Sequence, residues 1–297
     1  MTKMSEDDGF PRQRLRDLLS AQAFGATVRV LGLLPYRPRV ALSGRFFAEV
    51  VAPLAGWRKR IRANLAIALP DLPAAEVERL VRAVPDNVGR TLAEIFSGPD
   101  FVARCRDLPL TGPGAALLEQ RNAEGKGVVL VSGHFGNYDV FRGGLVGRGY
   151  RMGALYRPMD NRAFNTRYIA AIERIAKPLF PRNRRGMAQM MRFLQDGGMI
   201  GLAIDQYLSS GADLTFFGRK ARTALSAADI ALRYDVPLIP IFATRQPDGF
   251  SFVIEVEDPI PPATPEAMCQ EFNDRLEARV RAHPGQWFWI HRRWKNL

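Results

Sequence analysis

Hydrophobic positions along the chain change their period near residue 110. Before that point apolar residues recur at helical spacing. Leu15, Leu18 and Leu19, with Gln22, share one face of a helix expected over Arg12–Leu34. Phe47, Val50, Val51 and Leu54 form the stripe of a second pattern, Val40–Leu69, broken near Pro53. Leu72-Pro73 then introduces a helix to Val84, and Asp86 another to Ser97. From Leu110 onward short apolar runs alternate with helical stretches, which predicts an α/β fold with a mainly parallel central sheet flanked by helices. Strands are expected at Val128–Val131, Met152–Tyr156, Met199–Ile204, Leu238–Thr244 and Ser251–Val256. Helices are expected at Val140–Val146, Arg162–Lys177, Gly186–Gln195, Ala224–Tyr234, Pro265–Ala282 and Gln286–Lys295. The expected organisation is a helical N-terminal membrane-facing region, 1–108, followed by the α/β core, 109–297.

The strand Val128–Val131 runs into Ser132-Gly133-His134-Phe135-Gly136-Asn137-Tyr138-Asp139. His134 falls just past the carboxyl end of a buried strand, where open α/β sheets gather ligands. Asn137 is available to cap the next helix, and Asp139 is expected about one turn from His134. A neutral imidazole held by a carboxylate can take a proton from a hydroxyl, although the H-x-x-x-x-D spacing equally fits a turn histidine bonded to a nearby acid. Arg157 and Asp205 also follow predicted strands, so a parallel sheet would bring His134, Arg157 and Asp205 to one edge. No G-x-S-x-G is present, and Cys105 and Cys269 lie in unrelated segments, so the nucleophile is expected to be a substrate hydroxyl.

Charge sharpens this picture. The chain has 42 Lys and Arg against 30 Asp and Glu, a formal net charge of +12, which calls for an anionic partner. The basic clusters (Arg12, Arg14, Arg16; Arg58, Lys59, Arg60, Arg62; Arg182, Arg184, Arg185; Arg292, Arg293, Lys295) carry no nucleic-acid module, so lipid or an acidic protein is favoured and no nucleic acid is expected. No stretch of 18 residues is free of Asp, Glu, Lys and Arg, which argues against a membrane-spanning helix. The opening Glu6, Asp7 and Asp8 do not read as a secretory leader. Scattered His134, His283 and His291 make no metal set, and no phosphate-binding glycine motif appears, so no metal and no cofactor are expected.

The sequence resembles the bacterial lipid A biosynthesis acyltransferases, the lauroyl and myristoyl transferases of the lysophospholipid acyltransferase superfamily. The resemblance spans most of the chain. It rests on Ser132–Asp139, Tyr156-Arg157-Pro158, Asp205-Gln206, Phe216–Thr223 (F-F-G-R-K-A-R-T), Val236–Pro240 and the closing Pro284–Lys295 (P-G-Q-W-F-W-I-H-R-R-W-K). It implies acyl transfer from an acyl carrier protein thioester to a hydroxyl of a phosphorylated glycolipid, at the cytoplasmic face of the inner membrane. His134 would be the general base and Asp139 its orienter, with substrate contacts at Arg157, Asp205, Gln206, Gly133, Gly136 and Thr223. Backbone N–H groups near Gly133–Gly136, or Arg157, would face the oxyanion, Arg157 having a lipid phosphate as its other target. Asp rather than Glu at 139 departs from many lipid A enzymes and leaves another glycolipid or a lysophospholipid open as acceptor. Phe216 and Phe217 fit an acyl trench or plain core, and Trp287, Trp289 and Trp294 fit an interfacial belt or a packed final helix. Two readings of other classes compete: a non-catalytic anionic-membrane binder, and a lipid hydrolase with water as acceptor.

Overall fold

The computed structural model describes residue 22 and residues 24–295. About half of the helix expected over Arg12–Leu34 lies outside the described residues; within them residues 22 and 24–32 are helical, and 24–32 are called α1. The N-terminal layer continues with α2 (Tyr36–Phe46), a π-turn (Phe47–Val51), the short α3 (Ala52–Leu54), α4 (Trp57–Ala68), α5 (Ala74–Phe96) and α6 (Pro99–Arg106). The core follows as β1 (Leu110–Thr111), α7 (Ala115–Ala123), β2 (Val128–Ser132), α8 (Asp139–Gly147), β3 (Met152–Tyr156), α9 (Arg162–Ile175), β4 (Leu179–Pro181), α10 (Arg184–Gln195) and β5 (Met199–Ala203). It closes with β6 (Ala212–Phe216), β7 (Arg219–Thr223), α11 (Ser226–Arg233), β8 (Leu238–Arg245), β9 (Phe252–Val256) and α12 (Pro265–Ala282).

Seven strands form one sheet in the order β1-β9-β8-β2-β5-β3-β4. Every pairing is parallel except β8 with β9. β2 lies in the middle, and all five of its residues are buried, as a strand covered on both faces requires. Its side chains alternate between two cores. Val129 and Val131 join Ile61, Leu65, Leu80, Phe135, Phe242 and Trp287 on one face, while Val128 and Leu130 join Phe141, Ile172, Ile239 and Ile254 on the other. Each such fully buried side chain contributes about 1.5–3 kcal/mol. The N-terminal helices therefore share a core with the sheet.

Two expectations are corrected, and one element was not anticipated. The helices 73–84 and 86–97 are one, α5, which runs through the buried Pro85. Proline removes one backbone bond, and packing keeps the helix whole: Gly89 approaches α2 so closely that the Ser43 hydroxyl donates to its carbonyl at 2.7 Å. The expected last helix, Gln286–Lys295, is instead a short 3-10 turn (Pro284–Gln286) followed by turns and irregular chain. Residues Ala212–Thr223 form an antiparallel hairpin, β6–β7, turned by Phe217 and Gly218 at φ 55° and 64°, the left-handed pair that suits a two-residue turn.

Candidate active site

β2 and β5 are parallel neighbours, with Ser132 opposite Ala203. His134 and Asp205 each lie two residues further on, so the strand register itself makes them neighbours. The fully buried Asp205 carboxylate accepts three hydrogen bonds: from the His134 backbone N–H at 2.8 Å, from His134 Nδ1 at 2.7 Å and from the Trp287 indole at 2.9 Å. A carboxylate only accepts, so Nδ1 carries a proton, and in the neutral ring the lone pair is on Nε2, which faces Gln206. Burial alone would raise the Asp205 carboxyl, but the charge and hydrogen bonds of His134 outweigh it and hold the group well below the usual carboxylate range. Burial alone would likewise lower His134, and the Asp205 charge and hydrogen bond outweigh it and raise the imidazole above its ordinary value. The His134 side chain keeps 21% exposure while that of Asp205 has none, so the imidazole is open to solvent and the carboxylate is not.

Asp139 does not perform the role expected of it. Residues 134–138 are loop, so the spacing never places the two side chains on one helix face. Asp139 opens α8 and is buried with its carboxylate on Arg142, whose other nitrogen donates to the Ala176 carbonyl at 2.9 Å. Burial raises its carboxyl, and Arg142 opposes that. The pair ties α8 to the end of α9. Asn137 accepts from the Asp139 backbone N–H at 3.1 Å, so it does satisfy the start of α8.

Three of the backbone donors expected near Gly133–Gly136 are committed elsewhere. The N–H of His134 goes to Asp205, that of Phe135 to the Gly133 carbonyl and that of Gly136 to the Gln286 carbonyl. Gly133 and Gly136 are needed for shape. A Cβ on Gly133 would meet Leu276 at 3.0 Å and Asp205 Oδ2 at 3.2 Å, and one on Gly136, at φ +57°, would fall 2.0 Å from the Ala243 carbonyl. Arg157 does reach the same sheet edge, beyond β5, where it is exposed and bonded to Asp160 at 3.2 Å. Thr223 is a buried anchor: its hydroxyl donates to the Ala221 carbonyl and accepts from Arg293 at 2.6 Å. Arg293 also donates to the Arg222 carbonyl at 2.6 Å, which pins the closing segment to the hairpin.

Gln206 does join the site. Its amide nitrogen lies 3.1 Å from His134 Nε2 and 2.8 Å from His291 Nε2. Burial, then the nearby His134, lower His291 to about 3, with Arg60 and Arg293 adding to the effect and Asp205 opposing it. His291 is therefore neutral at physiological pH.

Sequence reasoning left Trp287 and His291 out of the site. The closing segment lies against the loop after β2, with a bridge between Phe135 and Trp287 and the Phe288 N–H donating to the His134 carbonyl at 2.9 Å. Trp287, Trp289 and Trp294 are buried with Phe216 and Phe217 in one aromatic cluster, so both sets are core. The available signal was the density of aromatics and histidine in W-F-W-I-H. A second omission is α5: Asn87 and Thr91 donate to the Gly136 carbonyl at 3.1 and 3.3 Å, and the buried Glu94 holds both Asn137 and Arg245. No group of three metal-ligating side chains occurs among the described residues.

A family model described as bacterial lipid A biosynthesis acyltransferase matches residues 14–296. A phosphatidylinositol mannoside acyltransferase of Mycobacterium tuberculosis is 25% identical over 293 residues, 96% of this chain and 91% of the relative. A lipid A biosynthesis palmitoleoyltransferase of Escherichia coli is 25% identical over 273 residues, covering 89% and 87%. A lipid A biosynthesis lauroyltransferase of the same organism is 23% identical over 254 residues, covering 80% and 79%.

Proposed function

The chain belongs to the bacterial lipid A biosynthesis acyltransferase family and is an acyltransferase, and we propose that it moves a fatty acyl chain from an acyl carrier protein thioester to a glycolipid hydroxyl. The observation that carries the chemistry is the His134–Asp205 pair at the ends of adjacent parallel strands. His134 Nε2 takes the proton of the acceptor hydroxyl as its oxygen attacks the thioester carbonyl. The tetrahedral intermediate collapses, the C–S bond breaks, and the imidazolium returns the proton to the departing thiolate. Asp205 fixes the ring and stabilises its charged form. General-base help of this kind is worth about 10²- to 10⁴-fold. The two cysteines are buried, with burial pushing the Cys269 thiol up to about 11 and Cys105 higher still, which supports a substrate hydroxyl as the nucleophile. Arg157, exposed at the same edge, is suited to grip a phosphate of the acceptor.

The acceptor favoured is a lipid A precursor. A phosphatidylinositol mannoside is the second reading, because the relatives carrying that name align along nearly the whole chain.

Membrane contact is assigned to the N-terminal layer. Among the described residues no helix is long and apolar enough to cross a membrane. Leu42, Phe46, Val50 and Leu54 form an exposed stripe at four-residue spacing through α2, the π-turn and α3, flanked by Arg45, Arg58 and Lys59. Apolar side chains with adjacent cations suit the cytoplasmic face of an anionic bilayer.

The test is mass spectrometry of lipid extracts from cells with and without the gene, complemented by wild type or His134→Ala. Loss of one acyl chain from lipid A, restored by wild type alone, supports the first reading, and the same pattern in an inositol glycolipid supports the second. Unchanged lipids refute both.

A further inference from the structure

Gln206 follows Asp205 at the end of β5, and its amide nitrogen sits between two imidazoles, 3.1 Å from His134 Nε2 and 2.8 Å from His291 Nε2. The hydrogens in this chain of contacts are fixed from the carboxylate end. Asp205 can only accept, so His134 Nδ1 is protonated and the neutral ring has its lone pair at Nε2. The group facing that lone pair must be a donor, which identifies it as the amide NH₂. The second amide hydrogen then points at His291 Nε2, which must also accept. A ring nitrogen has one lone pair, so the electron pair that would take the acceptor proton is already occupied.

We propose that Gln206 is a displaceable plug on the catalytic base: with the other hydrogen of the same amide nitrogen held by His291, it donates to His134 Nε2 until the acceptor hydroxyl takes its place. This rests on His134 being the general base of the reading above. The exchange replaces one donor by another, N–H by O–H, so an acceptor already bound by its own contacts displaces the plug at little cost. A lone water has no such contacts and must break a hold fixed at two points. The plug thus favours transfer over hydrolysis of the thioester.

The plug also acts on protonation. The groups around His134 are the Asp205 carboxylate and the Gln206 amide from the loop after β5, the neutral His291 and the Phe288 ring from the closing segment, and Tyr138 from the loop before α8. Arg293 and Arg60 lie further out and act on His291. Of these, Asp205 favours the imidazolium, and the Gln206 N–H favours the neutral ring.

The test is a nitrogen-15 NMR titration of the imidazoles in the free protein, comparing wild type with Gln206→Met and Gln206→Glu. In wild type His134 should carry its proton at Nδ1, with unprotonated Nε2 in both rings. Gln206→Met, similar in volume but without the donor, should raise the His134 midpoint by about 0.5–1 pH unit, the worth of one neutral hydrogen bond. Gln206→Glu, which sets a carboxylate between the rings, should raise it further. The acidic limb of the transfer rate should move with the midpoint, and the ratio of thioester hydrolysis to transfer should rise. Protonation of wild-type His134 at Nε2 overturns the proposal, as does an unmoved midpoint in a folded Gln206→Met. Should that variant not fold, the position of the His134 proton in wild type decides, since a carboxylate at 206 would raise the midpoint whether or not the wild-type amide donates. The titration needs no turnover: a protein without transferase activity would refute the function alone, and an unmoved midpoint would refute the plug alone.

Discussion

Replacing Asp205 by Asn changes one atom and should remove the base. Oδ2 accepts two backbone and indole N–H groups, from His134 and Trp287, whereas Oδ1 accepts only from His134 Nδ1. The single oxygen of an asparagine will keep the place with two donors. Its NH₂ then replaces Oδ1 and points a donor at Nδ1, so the ring proton must move to Nε2 and the lone pair turns inward. By comparison with orienting carboxylates behind other catalytic histidines, the rate should fall on the order of 10⁴-fold. Two charge-assisted bonds become neutral ones, for a stability loss of about 1–3 kcal/mol. The Asp205 carboxyl is depressed in the folded protein, so its stabilisation is fully present above an unfolded value near ~3.9 and is lost as pH falls through the folded value. The difference in melting between wild type and variant should therefore shrink in acid. Asp139→Asn makes the contrast: it leaves Arg142 buried without its counter-charge, costs about 3–5 kcal/mol, and leaves turnover per folded molecule near wild type. The assay is kcat/KM against pH with an acyl thioester donor, beside thermal melts. Turnover by Asp205→Asn within tenfold of wild type, or a collapse of turnover in a fully folded Asp139→Asn, would refute the assignment.

Trp287→Phe keeps an aromatic ring but removes the indole donor to Asp205 and leaves a gap in the buried cluster, and should lower stability by at least about 1.5–3 kcal/mol in thermal melts. Gly136→Ala combines a positive φ with a Cβ 2.0 Å from the Ala243 carbonyl, so the loop holding His134 must shift; melting temperature and activity should fall together. Replacing Leu42, Phe46 and Val50 by serine should leave the melt unchanged while weakening sedimentation with anionic vesicles at least tenfold, since each buried apolar side chain contributes about 1.5 kcal/mol or more.

The parallel core was legible because β2, β3, β5 and β8 are short apolar runs whose alternation with helices admits few topologies. His134 was legible for the same reason, since it ends the most buried of them. Its partner was misassigned because nearness in sequence stood in for nearness in space: Asp139 is five residues away, yet the loop turns it toward Arg142. Asp205, 71 residues on, is adjacent through register. The shared edge pointed to it, but strand order, which no local pattern encodes, was needed to put β5 beside β2. Trp287 and His291 were illegible as site residues because their placement depends on the closing segment returning across the sheet. Pro85 misled in the opposite direction, since a local rule predicted a break that the tertiary contacts of α5 override.

That returning segment bears on synthesis. Asp205 obtains its third donor, and Gln206 its second imidazole, only from residues 287 and 291, more than 80 positions later. A nascent chain can pair β2 with β5 long before those residues leave the ribosome. It then has a histidine and a carboxylate in register but lacks the Trp287 donor and the His291 imidazole until residues 287–291 fold back. The complete set of hydrogen bonds around His134 and Asp205 therefore forms only once residues 287–291 have been made and have folded back.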